Sequence, residues 1–219
     1  MPIEQWFPTT LYVEELSAPP KVMKGMIDYV SRFYEKNKEN YNWKIGLTGD
    51  MFGESRIHQS STFSWLNKQI LFYCKEYLCA LGADPNDFKV YASKAWPVVL
   101  QKGAFVPRHN HRNSVLSAVF YLKSDDMDSG EITFFDSIST LDHIPWHLKP
   151  NPLSFRKCFY KSYVNRLVVF PSSLDHEVEV YKGEKERYSI SYDIMITSNK
   201  NSSNVEMTIP DIREWRELG

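Results

Sequence analysis

The chain has 219 residues, of which 42% are hydrophobic and 15% aromatic, so it can bury a substantial core and is not expected to be disordered. Its formal net charge of −1 gives no electrostatic reason to expect nucleic acid as a partner. No apolar run approaches the roughly 18 residues of a membrane span, and "MPIEQWFPTT" lacks the regions of a signal peptide, so we expect a single cytoplasmic domain over residues 1–219.

Two amphipathic helices are predicted in the N-terminal part of the chain, within about residues 20–82. In "APPKVMKGMIDYVSRFYEKNK", prolines precede apolar residues at helical spacing. The segment "STFSWLNKQILFYCKEYLCALGA" repeats the pattern, with Ser61 or Thr62 as the predicted N-cap and Gly82 as the stop. We expect both helices to pack against one face of a sheet.

The three cysteines, Cys74, Cys79 and Cys158, follow no disulfide or metal-binding pattern. Cys74 and Cys79 lie five residues apart on the second predicted helix and therefore do not share a face closely. We expect all three to be reduced, buried thiols in a reducing compartment.

From residue 88 onward the apolar residues alternate instead of following a helical period. Seven or more short strands in succession indicate a sandwich, a barrel or a jelly roll. The predicted strands are "FKVYASKAWPVVLQKG", "SVLSAVFYLK", "GEITFFDS", "SFRKCFYKS", "RLVVFPSS", "HEVEVYKG" and "RYSISYDIMIT".

The stretch "PRHNHRNSVLSAVFYL", residues 107–122, places two of the six histidines at the start of a strongly apolar run. If the stretch is one strand, its side chains alternate between two faces. One face is then entirely apolar and the other carries a polar array, which either meets water or lines a pocket. The polar face comprises His109, His111, Asn113, Val115, Ser117, Val119 and Tyr121, and the apolar face comprises Leu116, Ala118, Phe120 and Leu122.

A third candidate histidine begins the segment "HEVEVYKG". Alternation places His176 on the same face as Val178 and Val180, which predicts that its ring points inward. Imidazole is a good ligand for iron, zinc, copper and nickel, and two residues at i and i+2 on one strand can reach one metal. His109 and His111, joined by His176 from a neighbouring strand, would form a facial set with open positions for substrate and O₂.

The segment "RYSISYDI" carries a polar stripe backed by an apolar one. Arg187, Ser189, Ser191 and Asp193 share the polar face. An arginine at the start of such a stripe suits a pocket that holds a carboxylate, because the guanidinium pairs bidentately with one.

In these segments the chain resembles the Fe(II)- and 2-oxoglutarate-dependent oxygenase superfamily, and within it a prolyl-hydroxylase-like 2OG-Fe(II) oxygenase group found in bacteria and cyanophages. The similar segments follow one another along nearly the whole chain, as "WFPTTLYVEEL", "HNHRNSVLSAVFYL", "SGEITFFDS", "RLVVFPSSLDHEVEV" and "ERYSISYDI". The resemblance implies a double-stranded β-helix, or jelly roll, at about residues 88–197, with the two helices buttressing it. It also implies the cytoplasm of a bacterium or of a phage-infected host.

The resemblance further implies a non-haem dioxygenase, a hydroxylase that uses Fe(II), 2-oxoglutarate and O₂ and releases succinate and CO₂. His109 and His176 match the two histidines of the superfamily's H-x-D/E…H triad. Arg187 matches the basic residue that pairs with the distal carboxylate of 2-oxoglutarate, and Ser189 completes an R-x-S pattern. Tyr121 matches a strand tyrosine that hydrogen-bonds the same cosubstrate. The likeness to prolyl hydroxylases points to a protein or peptide substrate.

One position departs from the superfamily, because His111 stands where Asp or Glu is usual. A neutral imidazole leaves the site one unit more positive than the 2-His-1-carboxylate triad. Either His111 is the third metal ligand, or water takes that place. Two rival functions stay open: a three-histidine, cupin-like dioxygenase that uses no 2-oxoglutarate, and a non-catalytic β-sandwich binding module.

The segment "LDHIPWHLKPNP" contains two histidines on either side of a tryptophan. Its three prolines argue against a helix. We expect His143, Trp146 and His147 to lie in a surface loop, a lid that contributes to specificity.

Overall fold

The computed structural model describes residues 6, 8–42, 44–126, 128–136, 151, 154–199 and 209–218. The predicted lid with His143, Trp146 and His147 lies outside these residues. No helix in the described ranges is both long enough and apolar enough to cross a membrane. That the whole chain forms one domain stays a prediction.

Two α-helices occupy the N-terminal part of the described chain, α1 (Pro20–Asn37) and α2 (Ser64–Ala80). Gly82, with a φ of +97°, follows α2 and confirms the predicted stop. The capping side chain lies slightly earlier than expected. The hydroxyl of Ser60 accepts a hydrogen bond from the backbone N–H of Thr62, because a short 3₁₀ turn precedes α2.

Ten strands in the described residues form two antiparallel sheets. They are β1 (Tyr12–Glu15), β2 (Leu47–Thr48), β3 (Phe88–Leu100), β4 (Val106–His109), β5 (Leu116–Lys123), β6 (Ile132–Phe135), β7 (Lys157–Tyr160), β8 (Arg166–Pro171), β9 (His176–Val178) and β10 (Arg187–Ser198). The larger sheet has the order β1-β8-β5-β10-β3-β2, and the smaller has the order β4-β9-β6-β7. This mainly β, jelly-roll architecture with two helices confirms the predicted fold class.

Strand β5 lies inside the larger sheet and separates two cores. Its residues Phe120 and Leu122 pack with Met26 of α1 in the core beneath the helices. Val119 and Tyr121 face the other way, into the core between the two sheets. The predicted alternation is therefore confirmed for β5, and its inner face is the one that lines a cavity.

Residues 107–122 do not form one continuous strand: the predicted strand "SVLSAVFYLK" is confirmed, but the prediction that His109 and His111 lie on one strand is wrong. Strand β4 ends at His109 in the smaller sheet, and β5 begins at Leu116 in the larger one. The connecting turn pairs with the chain after β8: the His111 N–H donates to the Ser172 carbonyl at 2.8 Å, and the Ser172 N–H donates to the Val115 carbonyl at 3.0 Å. These bonds carry the chain from one sheet to the other and interrupt the alternation.

The strand containing the third histidine is shorter than expected. Strand β9 ends at Val178, and the side chain of Val180 is 46% exposed instead of facing inward. His176 itself is buried, at 4% exposure. The inward orientation predicted from alternation therefore holds for His176 but not for Val180.

Candidate metal and cosubstrate site

Three histidines converge at one end of the sandwich. His109, His111 and His176 each offer one ring nitrogen, and these nitrogens all lie within 4.8 Å of one another. His109 and His176 are register partners on β4 and β9, with ring centroids 4.3 Å apart. The ring of His111 lies 5.2 Å from each of the other two. His111 joins the cluster from the turn after β4, and not from the same strand as His109.

Each histidine ring has a hydrogen-bond acceptor at Nδ1. The Nδ1 atoms of His109 and His176 lie 2.7 and 2.9 Å from the carbonyl oxygen two residues earlier in the chain. The Nδ1 of His111 lies 2.8 Å from Oδ1 of Asp193. A neutral ring that donates from Nδ1 keeps a free lone pair on Nε2. All three rings can therefore present Nε2 to one metal ion.

The environment keeps two of the rings neutral at physiological pH. Loss of solvation, reinforced by the neighbouring His109 ring, lowers the pKa of His176 to about 3. Loss of solvation likewise lowers the pKa of His109. Neutral imidazole is the form that binds a metal ion. Exposure decreases from His109 through His111 to the buried His176, so the cluster opens to solvent on the His109 side.

Arg187 lies in the same cavity, at the start of β10, and is only 1% exposed. One guanidinium N–H donates to the Gly130 carbonyl, and the guanidinium carbon lies 5.2 Å from the centre of the Tyr121 ring. The Nε atom has no hydrogen-bond partner within the described ranges. No carboxylate of the described residues pairs with Arg187, and burial lowers its pKa. An unpaired buried cation is destabilising by several kcal/mol, on the order of the desolvation penalty, so this environment fits an anionic ligand.

Two hydroxyl groups accompany Arg187 in the cavity. The Tyr121 hydroxyl is buried and has no hydrogen-bond partner in the part of the chain that the structure describes, and Ser189 is 1% exposed. The cavity contains about 530 Å³ of empty space, with its opening to solvent included. Tyr121, Ser189 and Arg187 therefore meet the three histidines in one cavity, as the resemblance implied. This donor set fits a metal ion together with a dicarboxylate.

Sequence reasoning missed two side chains that contact His111. Asp193 was placed on the polar stripe of β10 but was not connected to a histidine, although it shares a face with Arg187. Trp96 of β3 stacks on the His111 ring, with centroids 5.7 Å apart and an interplanar angle of 30°. For Asp193, the sequence indicated only that the side chain lies on the same face of β10 as Arg187. For Trp96, the sequence indicated nothing, because its position beside His111 depends on how β3 pairs with β10.

A carboxylate also joins the two segments that carry the histidines. Asp175 accepts hydrogen bonds from Arg108 at 2.9 Å and from Asn110 at 2.7 Å. Because these residues flank His109 and Asp175 precedes His176, the bonds hold the end of β4 against the start of β9.

Residues 94–193 match the model of a protein family described as "Putative 2OG-Fe(II) oxygenase". The likeness to the 2OG-Fe(II) oxygenases is confirmed. The matched range runs from β3 into β10 and contains all six residues that the sequence analysis placed in the site of such an oxygenase. Among curated proteins, none matches the chain.

Several solved structures share the fold. A Pseudomonas putida prolyl-4-hydroxylase has a TM-score of 0.52 at 17% identity, with 84% of this chain and 92% of that chain covered. A Trichoplax adhaerens prolyl hydroxylase, solved with a peptide fragment of the hypoxia inducible factor oxygen degradation domain, has a TM-score of 0.54 at 13% identity, with coverages of 84% and 83%. SnoN, a non-heme alpha-ketoglutarate-dependent epimerase from nogalamycin biosynthesis, has a TM-score of 0.57 at 11% identity, with coverages of 87% and 81%.

At these identities the similarity establishes the jelly-roll fold alone. Two of the three proteins are hydroxylases and one is an epimerase, so the fold by itself leaves the reaction open. The expected bacterial or cyanophage source stays a prediction.

Proposed function

We propose that this chain is a non-haem Fe(II)- and 2-oxoglutarate-dependent dioxygenase that hydroxylates its substrate. The observation that carries the proposal is the position of Arg187, a buried cation without a carboxylate partner among the described residues, in the same cavity as three clustered histidines. A histidine cluster alone would suit many metal proteins. The additional buried guanidinium favours a ligand that has one end for the metal and a carboxylate at the other.

In this proposal His109, His111 and His176 hold Fe(II) through Nε2. Arg187 pairs with the distal carboxylate of 2-oxoglutarate, and its guanidinium thereby gains an anion that the described part of the chain does not supply. When bound, Fe(II) and 2-oxoglutarate supply the oxidising chemistry, which consumes O₂ and yields succinate and CO₂. The protein orients the ligands and limits the access of water.

Tyr121 and Ser189 complete the carboxylate site. Burial raises the pKa of Tyr121, so the phenol keeps its proton at physiological pH and can donate a hydrogen bond to a carboxylate. Ser189 lies two residues after Arg187 on the same face of β10 and offers a second hydroxyl donor. A carboxylate between these groups would satisfy the polar atoms that otherwise lack partners.

We further propose a protein or peptide as the substrate. The support is the fold shared with prolyl hydroxylases, one of which was solved with a peptide fragment. The exposure of His109 supports it too, because a substrate that approaches from solvent meets this side of the histidine cluster first. The three free thiols, Cys74, Cys79 and Cys158, accord with the cytoplasm as the location.

The test is an anaerobic titration of metal-stripped protein with Fe(II) and 2-oxoglutarate, monitored through the weak visible charge-transfer band of the chelate. We expect a band that requires both components and that is lost in His176→Ala and in Arg187→Ala. Bound iron without such a band would instead favour a three-histidine dioxygenase that uses no 2-oxoglutarate. A protein that binds no iron would favour a binding module. Succinate formation coupled to the gain of one oxygen atom by a peptide would identify the hydroxylase.

A further inference from the structure

One of the three histidines differs from the others in what accepts its Nδ1 proton. His109 and His176 use backbone carbonyls, whereas His111 uses the carboxylate of Asp193, at 2.8 Å. Asp193 is only 8% exposed, and among the described residues no lysine or arginine pairs with it. The ring N–H of His111 is therefore the nearest side-chain donor that the described residues give this buried carboxylate, since the Ser117 hydroxyl lies 3.5 Å away.

The position of this carboxylate matters because of the charge of the site. A set of three neutral histidines brings no negative charge to a metal ion, whereas a 2-His-1-carboxylate triad brings one. Asp193 returns one negative charge to the site, but behind the His111 ring: its Oδ1 lies 2.8 Å from Nδ1, and the ring separates it from the ligand atom Nε2. A histidine that donates its N–H to a carboxylate is a more basic metal ligand, and the bond fixes which ring nitrogen faces the metal.

The surroundings hold the His111 ring in this orientation. Its backbone N–H donates to the Ser172 carbonyl at 2.8 Å, and Trp96 stacks on its face. The Ser117 hydroxyl lies 2.8 Å from the Ser172 hydroxyl and 3.5 Å from Oδ1 of Asp193. The backbone of His111, one face of its ring and its Nδ1 atom are thus each constrained by a different neighbour.

We infer that Asp193 is a positioning residue that supplies, through His111, the carboxylate that the metal-ligand set itself lacks. In this inference Asp193 keeps the proton of His111 on Nδ1 and directs Nε2 toward the metal. It also strengthens Nε2 as an electron donor. The inference rests on the proposed function, because it requires the three histidines to bind a metal ion. If Asp193 had a purely structural role, its hydrogen bond to His111 would stabilise the fold without affecting how the histidines bind a metal ion.

The experiment compares Asp193→Asn with the wild-type protein, using Co(II) alone as the probe. Metal-stripped protein is titrated with Co(II), and both the affinity and the visible absorption spectrum of the bound ion are recorded. We expect affinity to fall by about 10- to 100-fold, which is typical of the loss of a partner behind a ligand histidine. We also expect the spectrum to change, because an asparagine can accept or donate and no longer fixes the ring nitrogen that faces the metal.

The matched control is Glu177→Gln, the same carboxylate-to-amide change on the residue after His176. Alternation on β9 places the Glu177 side chain on the face opposite the His176 ring. We expect this variant to bind Co(II) within about twofold of wild type and with an unchanged spectrum. An equal loss of Co(II) affinity in both variants would mean that the net negative charge near the site, and not the hydrogen bond to His111, sets the affinity. That result would overturn the inference.

A rescue experiment uses the double variant His111→Asp/Asp193→Asn, which moves the carboxylate into the ligand position usual in the superfamily. We expect it to bind Co(II) more tightly than either single variant, because His111→Asp alone places two carboxylates side by side. A double variant that binds no more tightly than the two single variants would contradict the idea that the site needs one carboxylate in either of two places.

A measurement on the wild-type protein does not depend on the folding of any variant. In ¹⁵N NMR spectra of the Zn(II)-loaded protein, we expect His111 to carry its proton on Nδ1 and the metal on Nε2. The reverse assignment, or an Asp193→Asn variant that matches wild type in affinity and spectrum, would overturn the inference while leaving the proposed function intact. A wild-type protein that binds neither Co(II) nor Zn(II) would overturn both.

Discussion

Two buried charged side chains in different regions of this molecule, Asp211 and Arg187, have opposite surroundings. The Asp211 side chain, near the C-terminal end of the described chain, is fully buried and accepts hydrogen bonds from Lys89 at 2.9 Å and from Arg213 at 2.7 Å. Arg187, in the cavity between the sheets, is equally inaccessible, but among the described residues its polar partner is the Gly130 carbonyl and its other neighbour is the aromatic face of Tyr121. The first charge is neutralised by the chain itself, and the second is not.

The pKa values of the two groups shift in a way that reflects this difference. Arg213 and Lys89 lower the pKa of Asp211, so its charged form is favoured in the folded state. Burial lowers the pKa of Arg187 as well, but for a cation this means that the charged form is disfavoured. A buried charge that the fold stabilises is structural, whereas a buried charge that the fold penalises indicates a ligand.

The largest effect is expected for Arg187→Met, which removes the unpaired charge but keeps much of the volume. We expect the affinity for 2-oxoglutarate, measured by anaerobic titration in the presence of Fe(II), to fall about 10- to 150-fold, which corresponds to the loss of roughly 1.5–3 kcal/mol of charged hydrogen bonding. The free energy of unfolding of the metal-free protein should be unchanged or higher, since a desolvated cation has been removed.

The control for this substitution is Arg166→Met, because Arg166 forms an ion pair with Glu15 and does not line the cavity. It should leave the affinity for 2-oxoglutarate unchanged. A large decrease in the unfolding free energy of Arg187→Met, with normal cosubstrate affinity, would show that Arg187 is as structural as Asp211.

A smaller effect, in stability alone, is expected for Asp211→Asn. The substitution leaves Lys89 and Arg213 without their common anion, so thermal unfolding should occur a few degrees lower than in wild type. Cosubstrate affinity should not change. Asp128→Asn is the control, because Asp128 forms an exposed pair with Lys161 that contributes little; equal melting temperatures for the two variants would contradict the structural role of Asp211.

The smallest effect concerns pH. Because the folded-state pKa of Asp211 lies below the ordinary value of about 3.9, the unfolded chain binds this proton first as the pH falls. The contribution of Asp211 to stability is therefore complete above about pH 4 and decreases below it. Urea unfolding at pH 7 and at pH 3 should show a smaller difference between wild type and Asp211→Asn at the lower pH. An equal difference at both values would refute this linkage.

Much of the fold could be predicted because alternation is a local property. On β10, Arg187 and Ser189 line the cavity while Tyr188 and Ile190 lie in the core beneath the helices, as the period of two requires. The same reasoning placed the ring of His176 inward. It failed at Val180, because the length of a strand depends on its partner, and β9 pairs only as far as Val178.

The assembly of the site could not be predicted, because it depends on contacts between distant segments. No local pattern indicates that His109 and His176 are register partners. The H-x-H spacing suggested a strand, whereas the hydrogen bond from His111 to the Ser172 carbonyl places His111 in a turn. The contact between Asp193 and His111 arises only because that turn meets the larger sheet. The sequence could therefore name candidate residues for the site, but not their mutual arrangement.

The histidine cluster also connects the two halves of the sandwich. His109 and His176 belong to the smaller sheet, whereas His111 is held by Ser172 and Asp193 of the larger sheet and its adjoining turn. An ion bound by all three would therefore be a further cross-link between the two layers at this edge. Amide protons of β4 and β9 would then exchange with deuterated solvent more slowly in the metal-loaded protein than in the metal-free protein. The proportion of slowly exchanging molecules would therefore report how much of the protein carries metal.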